Sequence, residues 1–376
     1  MPRFQLFKKL AIVTILGIVY FFAGKLGLRL AFANPSATAV WAATGIAFAA
    51  FLTIGYWVWP GILLAAFLTN ITTAGSVATS IGIAVGNTLE GIIGAYLVNR
   101  FAGGRRFLDR TQDLFKFVFL AAMVSTMVSA TCGVTSLALG GFATRGSYGN
   151  VWLTWWLGDA TGDLVVAPVL ILWAASTTVD WNKRRLAEMA ILLFSLLLAG
   201  QVVFGGVVRS EIKNYPLEFL CIPSLIWVAF RFGQREAATA MLLLSGIAIR
   251  GTLLGFGPFE QPTHNASLLL LQAFMGVTSV MILALATVVS EHGRAESVRE
   301  TLIVDLQEAL NRIKTLKGLL PICAACKKIR DDKGYWNHIE SYIRQHSEAE
   351  FTHSICPSCA QKLYPEEFGK GHEESG

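Results

Sequence analysis

Long apolar runs, separated by short polar or basic stretches, set the strongest limit on what this chain can fold into. A helix advances ~1.5 Å per residue, so about 20 apolar residues cross a hydrocarbon core of ~30 Å. Candidate runs lie near residues 10–30, 38–56, 58–75, 77–98, 113–139, 151–175, 186–208, 215–231, 235–254 and 265–289. Only Trp59, Pro60 and Gly61 divide the second run from the third, and the eighth is short. The pattern predicts an all-α polytopic membrane bundle of about 8 to 10 transmembrane helices. The basic opening (Arg3, Lys8, Lys9) and the run behind it lack a small-residue cleavage site before a polar domain, which predicts a retained first span.

Of the 376 residues, 54% are hydrophobic and only 15% are charged, whereas soluble domains carry ~25% charged residues. Charge is dense beyond residue 291, so the sequence divides into a membrane part at 1–290, a connecting helix at 291–320, a cysteine-rich module at 321–368 and a disordered tail at 369–376. The net charge of +6 forms no basic stripe, so no nucleic-acid partner is expected. It forms clusters between spans. With the amino terminus inside, the inner loops carry Arg3, Lys8, Lys9, Arg100, Arg105, Arg106, Arg110, Lys116, Lys183, Arg184, Arg185, Arg231 and Arg235. The outer ends carry only Lys25, Arg29, Arg145, Arg209, Lys213 and Arg250. This excess predicts both termini in the cytoplasm. Trp57, Trp59, Tyr148, Trp152, Trp173, Trp181 and Tyr215 lie near run ends, as interfacial belts or packed aromatics do.

The segments AVWAATGIAFAAFLTIGYWVWPGILLAAFLTN (39–70), GNTLEGIIGAYLVNR (86–100), WLTWWLGDATGDLVVAPVLILW (152–173) and PSLIWVAFRFGQREAATA (223–240) resemble, in order and spacing, the bacterial membrane-associated sensor domain of the MASE type, first class. The resemblance implies a multi-pass sensor of the bacterial cytoplasmic membrane that passes its state to a carboxy-terminal output domain. It does not supply a ligand.

Polar groups enter the apolar runs in these same segments. Asn70 ends the third run, Asn87 and Glu90 lie in the fourth, and Asp159 and Asp163 lie in the sixth. Each costs free energy in hydrocarbon unless it is partnered or faces a cavity. Asp159 and Asp163 are four apart and share a helix face. Their mutual repulsion calls for a cation, an arginine or a shared proton. These five residues are the ligand-sensing candidates; the competing reading is that they tie helices together. Gly82, Gly86, Gly91 and Gly94 permit close packing, and Cys132 and Cys221 read as inert core residues.

Beyond the last run, Val288, His292, Ala295, Arg299, Leu302, Leu306, Ala309, Ile313, Leu316 and Leu320 alternate at steps of four and three. This heptad seam predicts a homodimer through residues 302–320, or else a lone amphipathic helix. Neither an ATP-binding module nor a GGDEF string follows, so His292 is not expected to accept a phosphoryl group.

Cys323 with Cys326 and Cys356 with Cys359 form two C-x-x-C turns, which can place four thiolates around one zinc ion. Lys327, Lys328 and Arg330 would favour the thiolates. The long insert needs its own core, for which Tyr335, Trp336, Ile339, Tyr342, Ile343 and Phe351 are available. The expected module is zinc-ribbon-like, α+β or irregular, with His346 and His353 outside the ligand set. Its LLPIC, KKIRDD-G-W and CP-C elements resemble a short module that ends various bacterial sensor and response-regulator chains, which confers no known activity. A dithiol redox switch and an iron–sulfur cluster remain open.

The combined expectation is a non-enzymatic sensor embedded in the lipid bilayer, acting on a cytoplasmic signalling protein, with no catalytic residues. A transporter or channel is the alternative for the polar spans, and a thiol-based redox sensor or enzyme for the module.

Overall fold

The computed structural model describes residues 2–29, 38, 40–73, 75–175, 182–206, 216–312 and 319–368. Trp181, Arg209, Lys213, Tyr215, Ile313, Leu316 and the expected tail at 369–376 lie outside the described residues.

Every apolar run becomes helical, though not every one becomes a full span. The first forms α1 (Pro2–Arg29), whose apolar side chains are mostly exposed, as a lipid-facing helix requires. The second and third form α2 (Ala42–Thr53) and α3 (Trp59–Ile71), joined through Gly55 and a 3₁₀ turn at Tyr56–Val58. Next comes α4 (Val77–Phe101), started by a capping box between Ser76 and Thr79. The fifth run is one continuous helix built of α5 (Thr111–Phe117), a π-helical stretch (Val118–Ser125) and α6 (Thr126–Leu139). Then follow α7 (Tyr148–Ala175), α8 (Lys183–Phe204), α9 (Ile222–Arg231), α10 (Gln234–Leu253) and α11 (His264–Arg312). Among the described residues seven helices are long and apolar enough to cross a membrane. The molecule is thus a polytopic membrane bundle.

Three expected spans are cut short. The 12 residues of α2 reach only about 18 Å, the 13 of α3 about 20 Å, and the eighth run gives a 3₁₀ turn (Leu217–Cys221) followed by the 10-residue α9. The reason for the first lies in α7. The chain approaches α2 in non-helical form, and the Trp41 amide donates to the Gly158 carbonyl at 3.0 Å. That bond needs glycine on α7. A Cβ at Gly158 would lie 2.8 Å from the Thr38 carbonyl, and one at Gly162 would collide with the carbonyl of Trp41.

Among the described residues the bundle holds two large apolar cores and a smaller one, the last between α4, α6 and α7 around Ile83, Val134 and Trp155. One of the large cores joins α1–α5 and α7 around Phe48, Phe51, Phe107 and Phe117. The other joins α8–α11 around Leu196, Phe204, Leu225, Leu244 and Met275. Just past the middle of α11, Glu291 accepts from the amide and hydroxyl of Thr111 at 3.1 and 2.9 Å, capping α5, and Arg294 pairs with Asp109 at 3.4 Å.

The chain divides into two compact units at residues 295 and 296, inside α11. In the second unit Leu302, Leu306 and Leu310 of α11 are exposed. An isolated bridge pairs Ile322 with Ile329, and two short antiparallel strands, β1 (Ile329–Arg330) and β2 (Trp336–Asn337), form a hairpin. Three short helices follow: α12 (Ile339–His346), α13 (Pro357–Leu363) and α14 (Pro365–Phe368). Of the expected core residues of the insert only Tyr342 is buried, packed on the His346 ring; among the described residues of this unit Ile329 is the other buried apolar one.

The close approach of α7 to the start of α2 yields a test. Gly162→Ala should destabilise the purified chain by about 1–3 kcal/mol, the usual cost of overpacking. Gly246→Ala, whose Cβ would meet nothing within 4 Å, should be neutral or slightly stabilising. Thermal unfolding of both variants in the same detergent decides.

Candidate functional site

The break before α2 places the first turn of that helix inside the bundle, against α4 and α7. Trp41, at the cap, offers no side-chain hydrogen bond to the helix. Thr44, in the first turn, faces two acids. Its hydroxyl lies 2.7 Å from Oε1 of Glu90 on α4 and 3.2 Å from Oδ1 of Asp159 on α7. All three side chains are at most 1% exposed. Since one hydroxyl carries one proton, it fully serves only one of the two carboxylates at a time. Oε2 of Glu90 and Oδ2 of Asp159 have no protein partner. Asp163, one turn along α7, is equally buried and its Oδ1 is unpartnered. Among the described residues no basic side chain pairs with any of these acids.

Asn87 belongs to a chain of neutral groups beside them. The Trp155 indole donates to Ser129 Oγ at 3.2 Å, Ser129 donates to Asn87 Oδ1 at 2.9 Å, and Asn87 Nδ2 donates to Tyr20 Oη at 3.2 Å. This links α7, α6, α4 and α1. Asn70 donates to the Ala66 carbonyl of its own helix at 2.9 Å. A small cavity bordered by Asn70, Asn87, Trp41, Trp155 and Asp159 has about 10 Å³ of room for the centre of a water molecule, about one water. The Trp41 indole N–H, also on this cavity, has no partner.

Four of the five expected sensing residues therefore converge on this region: Asn70, Asn87 and Asp159 line the cavity, and Glu90 meets Asp159 through Thr44. Asp163 adds a third buried acid on α7. Sequence reasoning missed Thr44, Tyr20, Ser129 and Trp155, whose types are common in packed helices. It also missed Gln272, a lone amide in the apolar run of α11 that donates to the carbonyls of Thr38 and Thr154, both at 3.0 Å. The rule that singled out Asn87 would have found it.

In the second unit each C-x-x-C pair closes a turn. The Cys323 amide donates to the Lys328 carbonyl at 2.9 Å, and Lys327, with φ 61°, takes the left-handed conformation that returns the chain to Cys323. Cys356 caps α13 and Cys359 lies in its first turn. Backbone N–H groups of Cys326 and Ala325 lower the Cys323 thiol below its usual range. The Ser358 hydroxyl, then the Cys359 amide, bring Cys356 down to about 7. Cys323 and Cys356, one from each pair, thus favour thiolate, the form a metal binds. Among the described residues no group of three or more His, Cys, Asp or Glu is arranged to hold a metal ion, so the pairs stand as separate turns. His346 Nδ1 lies 2.8 Å from the Tyr342 carbonyl within α12.

Comparison with known proteins gives one family. The MASE1 family model matches residues 11–292, the greater part of the chain. No curated protein and no solved structure matches. The chain belongs to the MASE1 family, which is the membrane-associated sensor domain of signalling proteins.

Two outcomes follow from this geometry. Thr44→Val should cost about 1–3 kcal/mol by leaving buried carboxylates without their donor. In a double-mutant cycle with Glu90→Gln the two changes should couple by about 0.5–3 kcal/mol, read from denaturant unfolding in micelles. For the module, alkylation of Cys356 should accelerate as pH rises through about 7, because only the thiolate reacts; Ser358→Ala should move that midpoint upward.

Proposed function

With membership of the MASE1 family as the premise, we propose that this chain is a bacterial membrane sensor in which the carboxylate site at the start of α2 detects a small molecule or a membrane condition. The family is a sensory membrane domain rather than a catalytic one. The observation that carries the reading is the meeting of Glu90 and Asp159 on one Thr44 hydroxyl at a helix break, with oxygens left unpartnered. A buried polar site with unspent hydrogen-bonding capacity responds to a proton, an ion or a polar ligand. A purely architectural tie would have its atoms satisfied.

The output path proposed is α11. Its apolar part packs in the second core, and Glu291 and Arg294 fasten it to the loop and first turn of α5. A change in how α2, α4 and α7 pack would alter this attachment and reach the cysteine module, which in turn contacts a cytoplasmic partner. The exposed Leu302 and Leu306 support pairing of two such helices in a homodimer. The module folds around zinc through Cys323, Cys326, Cys356 and Cys359. The two apolar residues buried among the described residues are too few to hold a domain of this size, and metal binding would draw the two cysteine turns together as it supplies the folding free energy. Both termini lie in the cytoplasm, where thiols stay reduced. A helix that begins inside the bundle beside buried acids would also suit the solute path of a transporter; uptake of a labelled solute by vesicles holding the chain would favour that second reading.

Asp159→Asn combined with Asp163→Asn should leave membrane insertion intact and change amide hydrogen exchange in residues 296–312 and 319–368 of the full chain at least about threefold, roughly 0.65 kcal/mol. Unchanged exchange would leave the acids a packing role alone. The full chain purified in reducing buffer should hold one zinc by elemental analysis, each of the four Cys→Ser variants should lose most of it, and His346→Ala and His353→Ala should retain it.

A further inference from the structure

A second cavity lies along a different face of α7 from the carboxylates. It is a groove of about 450 Å³ between the π-helical stretch, α7 and α11, walled by Val118, Trp156, Leu164, Gly276, Val277 and Val280. Its size is that of sites that take small organic ligands. Three local features make it. The π-helical stretch widens the fifth helix, and the Trp156 indole crosses to the Met123 carbonyl at 2.9 Å, holding that ring as one wall. Gly276 leaves the floor open: a Cβ there would meet only Leu164 Cδ1, at 3.8 Å.

Nearly all of this lining is hydrocarbon. The exception with unused capacity is Gln272, which borders the groove and is 1% exposed. Its amide nitrogen is held by the Thr38 and Thr154 carbonyls, which fixes the orientation of the side chain, and its Oε1 has no partner. Within hydrocarbon an amide oxygen without a donor is costly. A water would need two to four polar partners, and the groove provides little beyond this oxygen. A molecule that brings one donor and an apolar body satisfies both. From Gln272 the wall continues along α11 to Met281, about 13 Å at ~1.5 Å per residue, a length suited to an alkyl chain.

We propose that this groove binds a single-chain lipid whose head carries one hydrogen-bond donor, a hydroxyl or a protonated carboxyl, with Gln272 Oε1 accepting from the head and the chain lying along α11 past Gly276. The site is separate from the carboxylate cluster, yet Gln272 ties α11 to the entry of α2 and to α7, so occupancy bears on the same helices.

The test uses the full chain in phosphatidylcholine nanodiscs with hexadecanol carrying a diazirine, photolysed and mapped by mass spectrometry. Labelling should saturate, concentrate on residues 118–123, 156–164 and 272–281, and be displaced by plain hexadecanol but not by its methyl ether, which lacks the donor. Gly276→Leu should fill the floor and reduce saturable labelling about tenfold with unchanged thermal unfolding. If it does not fold, Ala160→Leu on the α7 wall serves the same purpose. Gln272→Met should abolish the preference for the alcohol over the ether. Labelling spread evenly over the lipid-facing helices, equal displacement by the ether, or undiminished labelling in a folded groove-filling variant would overturn the proposal.

Discussion

Inside hydrocarbon a polar group has no water to turn to, and the single hydroxyl of Thr44 is shared between two buried carboxylates. That hydroxyl brings α2, α4 and α7 into one polar contact. Thr44 reaches both acids from the first turn of α2, whose start is set where the non-helical entry crosses α7: the Trp41 amide bonds the Gly158 carbonyl, and glycine at 158 and 162 leaves room for the backbone to pass.

That the apolar runs are helical was legible from length and apolar character; that α2, α3 and α9 fall short of a full span was not. Nor was the break before α2. Nothing between residues 38 and 56 interrupts the apolar pattern, and the interruption comes from Gly158 and Gly162, more than a hundred positions away. The π-helical stretch at Val118–Ser125 was hidden for a related reason: its sequence, VFLAAMVS, is ordinary helix material, and the extra residue per turn shows only in the backbone.

Of the site, the charged half was readable and the neutral half was not. Acids and asparagines stand out in apolar runs because they are costly there. Thr44, Ser129 and Tyr20 do not, since threonine and serine satisfy themselves on their own helix backbone, as Thr88 and Ser125 do here. In the module, the C-x-x-C spacing forecast the two turns, and the structure supplies the amides and the Ser358 hydroxyl that favour thiolate. Of the residues expected to form a core there, Tyr335 and Trp336 stay at the surface, Ile339, Ile343 and Phe351 are half-buried, and Tyr342 is buried. A hairpin of two-residue strands has no second layer to cover Tyr335 and Trp336.

The most direct test of the account is a carbon–carbon contact measurement by magic-angle-spinning NMR on the chain in lipid bilayers, with threonine, glutamate and aspartate labelled. The account predicts contacts from the Thr44 side chain to the carboxyl carbons of both Glu90 and Asp159. A Thr44 side chain in contact with neither carboxyl, or a continuous helix through Trp41 that carries Thr44 away from α4, would contradict it.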